Sequence, residues 1–295
     1  MRVEAALYVV ATPLGNLRDI TLRALDVLAA VDAIAAEDTR LTRRLLAHYE
    51  LRAPLVALHE HNEARAASDL IKRIEKGEAV AYVTDAGTPA ISDPGALLVA
   101  RVREAGLRVI PVPGASAVTT ALSAAGLSVP HFLFYGFLPA KATARREALA
   151  DLAKLPFALI FFEAPHRLSG SLQDMAQILG PERKMVIARE LTKLFESFHK
   201  CALGQARAWL EQDANHAKGE FVLIVEGAAR DASKTDGRAE QALELLLREL
   251  PLSRAVELAA EIGGGKKNAL YARALELKKL YNHGGTESTE EGEGD

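Results

Sequence analysis

The chain has 295 residues, of which 49% are hydrophobic and 25% are charged. This length predicts two globular domains with an appendage, and the composition is that of a soluble protein without a membrane-spanning stretch. The formal net charge of −3 excludes a nucleic-acid binder that relies on bulk positive charge, so any RNA contact has to come from local basic patches.

The acidic residues are concentrated at the end of the chain. Residues 283–295 contain five acids and no Lys or Arg, which predicts a disordered, solvated tail, whereas the remainder has 36 basic and 34 acidic residues. The single cysteine, Cys201, is interpreted as a small buried side chain, and it favours a cytoplasmic location. The residues from Met1 to Glu4 lead into a strand pattern rather than a secretory signal.

The first part of the chain alternates between short apolar runs and helical patterns. The runs predict strands over 7–11, 33–36, 55–58, 79–83 and 107–111. The other patterns predict helices over 21–30, 62–76, 96–105 and 115–125, the first with Thr21 or Asp19 as its N-cap. Such β-α-β units predict a largely parallel sheet with helices on both faces, in a first domain of residues 1–127.

The rhythm changes after residue 128. Strands are predicted over 132–137, 157–162, 185–188, 195–203 and 221–225, with helices over 142–154 and 168–179. The runs 195–203 and 221–225 are candidates for an antiparallel pair. We therefore expect a second α/β domain with a mixed sheet over residues 128–229.

A polar segment, 230–237, predicts a linker to a helical module over 238–282. Helices are predicted over 238–249, 252–262 and 267–281, and the arrangement resembles a helix-turn-helix. Leu270, Ala274, Leu277 and Tyr281 form an apolar stripe that fits either docking within the module or dimerisation.

The most informative segment for function is TDAGTPAISDPG, residues 84–95. It follows a predicted strand, and ligands bind at the carboxyl edge of open α/β sheets. Its glycines allow close approach to the backbone, its prolines restrict the loop, and it is longer than a usual βα turn. It contains neither a dinucleotide fingerprint nor a P-loop.

Five further polar segments follow predicted strands. They are ATPLGNLRDIT (11–21), AEDTR (36–40), LHEHNE (58–63), VPGAS (112–116), in which Ser116 is a candidate helix cap, and FFEAPHR (161–167), with ARELTK (188–193) downstream. The pairs Asp38–Arg40 and Arg189–Glu190 are alternatively plain ion pairs that hold loop ends. Their recurrence in both domains favours a cleft between the domains.

A metal site is not expected. His59 and His61, with Glu60 and Glu63, are spaced like a strand end and match no HExxH motif.

The chain resembles the tetrapyrrole methylase superfamily in the order and spacing of its motifs. These are TPLGNL, AEDTR, TDAGTPAISDPG, PGAS, FFEAPHR, ARELTK and GEFVLIVEG, over about residues 5–280. More narrowly, it resembles the branch that 2′-O-methylates a cytidine of bacterial 16S ribosomal RNA. The superfamily has Gly-Asp-Pro where this chain has Gly87-Thr88-Pro89, a departure typical of that branch.

The resemblance implies two α/β domains with S-adenosylmethionine folded in the cleft between them. The positions that match the superfamily's cofactor contacts are Pro13, Leu14, Gly87, Thr88, Ile91, Ser92, Ser116, Ala117, Phe162, Ala188, Gly219 and Glu220, together with Glu163. Apolar walls with exposed backbone suit such a ligand.

Methyl transfer to a ribose hydroxyl depends on alignment and on a base that takes the proton. The candidate carboxylates are Glu37, Asp38, Glu163 and Glu190, with Glu163 or Glu190 preferred as the base, and His59 and His166 are weaker candidates. Arg40, Arg167, Arg189 and Lys193 are candidates to hold flanking phosphates.

The helical module is expected to bind the 16S rRNA or the small ribosomal subunit. Its candidate contacts are Lys266, Lys267, Arg273, Lys278 and Lys279. Two other functions stay open: methylation of a small tetrapyrrole, which gives no reason for this module, and a non-catalytic ribosome-assembly factor, which predicts no cofactor binding. The protein is expected to form a homodimer.

Overall fold

A computed structural model of the protein describes residues 3–59, 61–127, 130–229, 237–263 and 266–283. Residues 230–236 of the predicted linker (230–237), residues 284–295 of the predicted tail (283–295) and Glu60 lie outside the described residues. For residues 237–238 and 279–283, including Lys279 and Tyr281, only the backbone is described. The chain divides into two compact units, Met1–Ala228 and Ala229–Asp295.

The first unit begins with a parallel five-stranded sheet. Its strands are β1 (Leu7–Val10), β2 (Ala33–Ala36), β3 (Leu55–Ala57), β4 (Val80–Val83) and β5 (Val109–Val112), in the order β3-β2-β4-β1-β5. The β2 and β4 strands are buried along their whole length, as expected for central strands covered by helices on both faces. The carboxyl ends of all five strands therefore meet at one edge.

The helices that follow these strands are α1 (Leu22–Ala30), α2 (Thr39–His48), α3 (Glu63–Glu75), α4 (Ala96–Glu104) and α5 (Ala117–Ala124). The Thr21 hydroxyl accepts from the Ala24 N–H at 3.1 Å, so Thr21 rather than Asp19 is the N-cap of α1. Ser116 is in the N-cap position of α5, but its side chain makes no capping bond. Helix α2 was absent from the sequence prediction, although Asp38 caps it.

A second five-stranded sheet completes this unit. Its strands are β6 (Phe132–Phe137), β7 (Ala158–Glu163), β8 (Lys184–Arg189), β9 (Ser197–Ala202) and β10 (Phe221–Val225), in the order β6-β7-β10-β8-β9. Only β6 and β7 are parallel. The predicted pairing of 195–203 with 221–225 is wrong: β10 lies between β7 and β8, antiparallel to both, and β9 pairs with β8 instead. The fully apolar β10 is suited to the centre of a sheet, and the more polar β9 to its edge.

Three helices accompany the second sheet: α6 (Ala142–Leu152), α7 (Pro165–Leu179) and α8 (Leu203–Gln212). Helix α8, which the sequence prediction missed, buries Leu203, Ala206 and Leu210. Cys201 packs half-buried against the same core, and burial raises the pKa of its thiol, as expected for a structural cysteine. The predicted fold class, two α/β halves followed by a helical module, is confirmed.

The second unit contains α9 (Gly237–Glu249), α10 (Leu252–Gly263) and α11 (Lys267–His283). Leu270, Ala274 and Leu277 of the predicted stripe pack against Leu243 and Val256 in the unit's own core. The three residues are thus used for docking within the module. In the described part of the chain, no helix is both long and apolar enough to cross a bilayer.

Candidate functional site

A cavity of about 410 Å³ lies where the strand-exit loops of the first sheet face the second sheet. Its volume is in the range of small-molecule sites. Eight of the predicted cofactor contacts line it: Leu14, Gly87, Thr88, Ile91, Ser116, Ala117, Phe162 and Glu220. The predicted catalytic residues Glu37 and Glu163 line it as well.

The remaining predicted contacts do not line this cavity. Pro13 and Ala188 are buried beside it, and Ser92 is exposed on the loop that contains Ile91. Gly219 contacts Glu190, because a Cβ at Gly219 would lie 2.6 Å from the Glu190 side chain. These four positions, with Arg40, Arg167, Glu190 and Lys193, are outside the cavity lining.

Hydrogen bonds fix three strand-exit loops against one another. Gly87 and Thr12 exchange backbone bonds of 3.0 and 2.9 Å. The Thr12 hydroxyl donates to the Thr84 carbonyl at 3.1 Å, and the Thr88 hydroxyl donates to the Ala115 carbonyl at 3.1 Å. Thr88 thus has a structural role where the superfamily has aspartate.

The loop 84–95 holds its backbone in an uncommon conformation. Gly87 has a φ of +80°, and Ala90 and Ser92 have φ values of +66° and +64°. Positive φ in residues other than glycine is costly, and it concentrates at functional sites where the surrounding structure maintains it. The bonds between the loops provide that support, so the backbone at Gly87 is presented to the cavity in a fixed position.

The Glu163 carboxylate has three polar partners within the protein. Its side chain is 0% exposed and accepts from the Ala164 N–H at 2.9 Å and from the Ser171 hydroxyl, and the Arg167 Nε lies 3.2 Å away. Arg167 also donates to the Leu138 carbonyl. These contacts favour a structural role for Glu163, which lines the cavity, and for Arg167, which does not.

Glu190 is held in a comparable way. Its Oε1 lies 2.9 Å from the Lys193 Nζ and accepts from the Glu220 N–H at 2.9 Å. Although burial raises the pKa of Glu190, these two donors outweigh burial and the net pKa is lowered. Lys193, predicted to bind RNA, lies 3.0 Å from the Glu220 carboxylate as well, so its charge is engaged within the protein.

Asp38 and Arg40 form an ion pair of 2.8 Å at the start of α2. Hydrogen bonds from Arg40 lower the pKa of Asp38 to about 2. The Arg40 side chain is 82% exposed, and it therefore remains accessible to a phosphate at the rim. Arg189, in contrast, donates to the carbonyls of Lys218 and Phe195 and forms no ion pair with Glu190.

Sequence reasoning missed three polar side chains of the cavity: Thr84, Asp85 and Asp93. The Thr84 hydroxyl lies 2.8 Å from Glu37 Oε2 and 2.9 Å from Asp93 Oδ2. The signal was present in the segment 84–95, whose polar residues at both ends are brought together by the loop. The described residues contain no group of three or more His, Cys, Asp or Glu side chains arranged to hold a metal ion.

Some of the basic residues of the helical module form ion pairs with acidic side chains. Arg273 binds Glu240 at 2.7 Å and Glu276 at 3.0 Å. Lys267 is exposed and lies 3.6 Å from the Glu257 carboxylate, and Lys266 and Lys278 are exposed as well.

The chain matches two family models. Residues 6–207 match Tetrapyrrole (Corrin/Porphyrin) Methylases, and residues 232–278 match the RsmI C-terminal HTH domain. Two curated relatives, both called ribosomal RNA small subunit methyltransferase I, come from Escherichia coli O157:H7 and Vibrio cholerae. They are 53% and 52% identical, over 92% of this chain in both cases and 96% and 94% of their own lengths.

Solved structures agree on the fold. A cobalt precorrin-4 methyltransferase superposes with a TM-score of 0.58 at 19% identity, over 75% of this chain and 94% of its own. The methyltransferase CobJ superposes with a TM-score of 0.57 at 20% identity, over 76% of this chain and 95% of its own. The chain therefore belongs to the tetrapyrrole methylase family and, within it, to the group of the ribosomal RNA small subunit methyltransferases I.

Proposed function

We propose that this protein transfers a methyl group from S-adenosylmethionine to the 2′-hydroxyl of a cytidine ribose in 16S ribosomal RNA. The relatives' name supports the class of substrate. The observation that carries the proposal is the chemistry of the cavity, which suits a cationic sulfonium nucleoside.

The cavity combines apolar walls with negative charge. Leu14, Ile91 and Phe162 contribute apolar surface, and five carboxylates are among its lining residues: Glu37, Asp85, Asp93, Glu163 and Glu220. None of the described residues that line it is Lys or Arg. A cationic ligand is favoured by such surroundings, whereas a polyanionic ligand is disfavoured. The residues present therefore fit S-adenosylmethionine, which supplies a methyl group on a positively charged sulfur.

We assign the binding of this ligand to the segment 84–95 and to the loop before α5, which line the cavity. Gly87 offers backbone that no Cβ shields, while Ser116 offers a hydroxyl and Phe162 an apolar face. Because the loops are bonded to one another, little conformational freedom is lost on binding. The same rigidity holds the reacting groups in line, an orientation effect worth several powers of ten in rate.

The choice of Glu163 or Glu190 as the base is not retained, since both carboxylates already have cationic partners within the protein. Both are proposed to position the wall of the cavity. Arg40 is proposed to contact a phosphate of the RNA at the rim. Lys193 is proposed to hold Glu190 and Glu220 rather than RNA.

We propose that the module of residues 238–282 binds the ribosomal substrate. Lys266 and Lys278 are among its exposed cations, and phosphate contacts from such residues provide affinity without sequence information. A small tetrapyrrole substrate gives no reason for this unit. A cytoplasmic location follows from the ribosomal substrate, and the homodimer stays a prediction that light scattering of the purified protein tests.

The deciding experiment maps 2′-O-methylated nucleotides in 16S rRNA from cells with and without the gene. We expect one cytidine to lose its methyl group and to regain it when the gene is restored. An unchanged methylation pattern, together with absent S-adenosylmethionine binding in calorimetry, would instead support the non-catalytic assembly factor.

A further inference from the structure

Helix α2 presents a row of arginines to solvent. Arg40, Arg43 and Arg44 are exposed, and their i, i+3 and i+4 spacing places them on one face of the helix. The buried residues of α2 lie on the opposite side: Thr42, Leu45 and Leu46. The helix therefore packs on the sheet through one side and shows a cationic face on the other.

The charge of this face is not balanced within the helix. Helix α2 has three arginines and no acid, whereas α3, on the other face of the same sheet, has three cations and three acids. Among the described residues, neither Arg43 nor Arg44 forms an ion pair. Like charges four residues apart destabilise a helix, and a cation in its first turn opposes its dipole. The repulsion between these side chains does not help the fold, but a polyanionic partner would relieve it.

A surface groove extends the cationic face beyond the end of α2. It has a volume of about 930 Å³, and both Arg43 and Arg52 line it together with Glu50. Residues 39–52 contain four arginines and only one acid, Glu50. The chain as a whole has a net charge of −3, so this segment is a local basic patch of the kind that nucleic-acid binding requires.

The first turn of α2 adjoins the cavity. The N–H of Asp38, the N-cap of α2, donates to Asp85 Oδ1 at 3.0 Å, and Asp85 lines the cavity. The Asp38 carboxylate in turn orients Arg40, whose Nη2 lies 2.8 Å away. The ten residues of α2 span about 15 Å at 1.5 Å per residue. The row of arginines thus starts at the edge of the cavity and continues to the groove.

We propose that Arg40, Arg43, Arg44 and Arg52, here called the arginine face, bind the phosphates of the RNA strand next to the methylated nucleotide, an inference that rests on the proposed function. Guanidinium groups bind phosphate through paired N–H donors and stay charged at all physiological pH values. Such contacts fix the position of a strand without reading its bases. The arginine face therefore holds the strand while one ribose lies in the cavity.

The test compares two double variants of the full chain. The α2 variant combines Arg43→Gln with Arg44→Gln. The control variant combines Arg65→Gln with Arg103→Gln, which removes the same charge from exposed positions of α3 and α4. At about 50 mM salt, we expect the Kd for unmethylated small ribosomal subunits, measured by filter binding, to rise at least about 10-fold in the α2 variant and no more than about twofold in the control.

The salt dependence identifies phosphate contacts. Each contact contributes about 0.7–0.9 to the slope of log Kd against log salt concentration, so the slope should fall by about 1.4–1.8 in the α2 variant. Replacement of both residues by Lys keeps the charge and should preserve the wild-type slope. Because neither residue lines the cavity, the KM for subunits should rise in the α2 variant, while kcat should change no more than about threefold.

A cross-link identifies the partner. Ala47 is exposed and lies on the same side of α2, three residues after Arg44. A photoreactive benzophenone side chain at this position should cross-link to 16S rRNA in the complex with the small subunit. Cross-links confined to a ribosomal protein would overturn the assignment to RNA.

The remaining outcomes separate the two proposals. Wild-type protein that methylates no ribosomal RNA would overturn the proposed function, whatever the binding data show. Active wild-type protein, together with an α2 variant that keeps the wild-type Kd and salt slope, would overturn the inference alone. Equal losses in the α2 variant and the control variant would also overturn it, since they would reflect net charge rather than a surface on α2.

Discussion

Replacement of Gly95 by Ala tests how the loop 84–95 is locked to the sheet. Gly95 is the N-cap of α4 with a φ of +114°, a conformation that costs an L-residue about 1–3 kcal/mol. A Cβ at this position would lie 2.1 Å from Tyr82 Cε1. Tyr82 is 0% exposed and bonded to the Pro94 carbonyl, so relief of the overlap requires Tyr82 and its buried neighbours to shift, at a cost of about 1–3 kcal/mol.

We therefore expect Gly95→Ala to lower the free energy of unfolding by about 2–6 kcal/mol, measured by urea denaturation. Gly77→Ala is the matched control, because Gly77 has a φ of +94° and nothing within 4 Å of the added Cβ. It should lose only the backbone part, about 1–3 kcal/mol. A Gly95→Ala variant within about 0.5 kcal/mol of Gly77→Ala, inside ordinary surface variation, would refute the argument that Tyr82 blocks a side chain there.

Four further expectations concern binding, packing, pH and the helical module. The protein should bind S-adenosylmethionine equally well with and without a chelator, as measured by calorimetry. Gly87→Val should abolish this binding, because the branched side chain would meet the ligand and a valine is strained at a φ of +80°. Asp174→Asn should lower the free energy of unfolding by about 3–5 kcal/mol in denaturant titrations, since it strands Arg145, 2.6 Å away and equally buried. The folded protein lowers the pKa of Glu190, so the ionised carboxylate stabilises the fold at a pH above 4.5, the ordinary pKa of Glu. This stabilisation is lost as the pH falls through the folded pKa. The difference in free energy of unfolding between wild type and Glu190→Gln should therefore shrink from pH 7 to pH 3. Deletion of residues 230–295 should leave cofactor affinity nearly intact and sharply reduce methylation of small subunits; full activity of the truncated chain would exclude the module as the RNA contact.

Local sequence patterns predicted most of the helices and strands. Apolar runs gave the positions of all ten strands, and capping and periodicity gave most of the helices. The two missed helices, α2 and α8, interleave their three buried residues with Arg, Gln and Glu side chains or with further apolar residues, so the buried stripes were obscured. Strand pairing in the second sheet could not be predicted. The apolar sequence of β10 indicates a buried strand but does not indicate which strands lie beside it.

The candidate site likewise has features that the sequence predicted and features that only the structure shows. From the sequence by itself a ligand site was predicted at the loops after β1, β4 and β5, since Gly and Pro after an apolar strand act through backbone geometry that is local. The structure places residues of these three loops along one cavity. Only the tertiary structure decided which carboxylates have a cationic partner within the protein. Glu163 and Glu37 look alike in sequence, each at the end of a buried strand, but Glu163 is paired with Arg167 and Glu37 accepts from the Thr84 hydroxyl. The proton affinity of a carboxylate depends on charges and donors a few ångströms away in space. For Glu37 the donor, Thr84, is 47 residues away in the chain, so local sequence does not predict the contact.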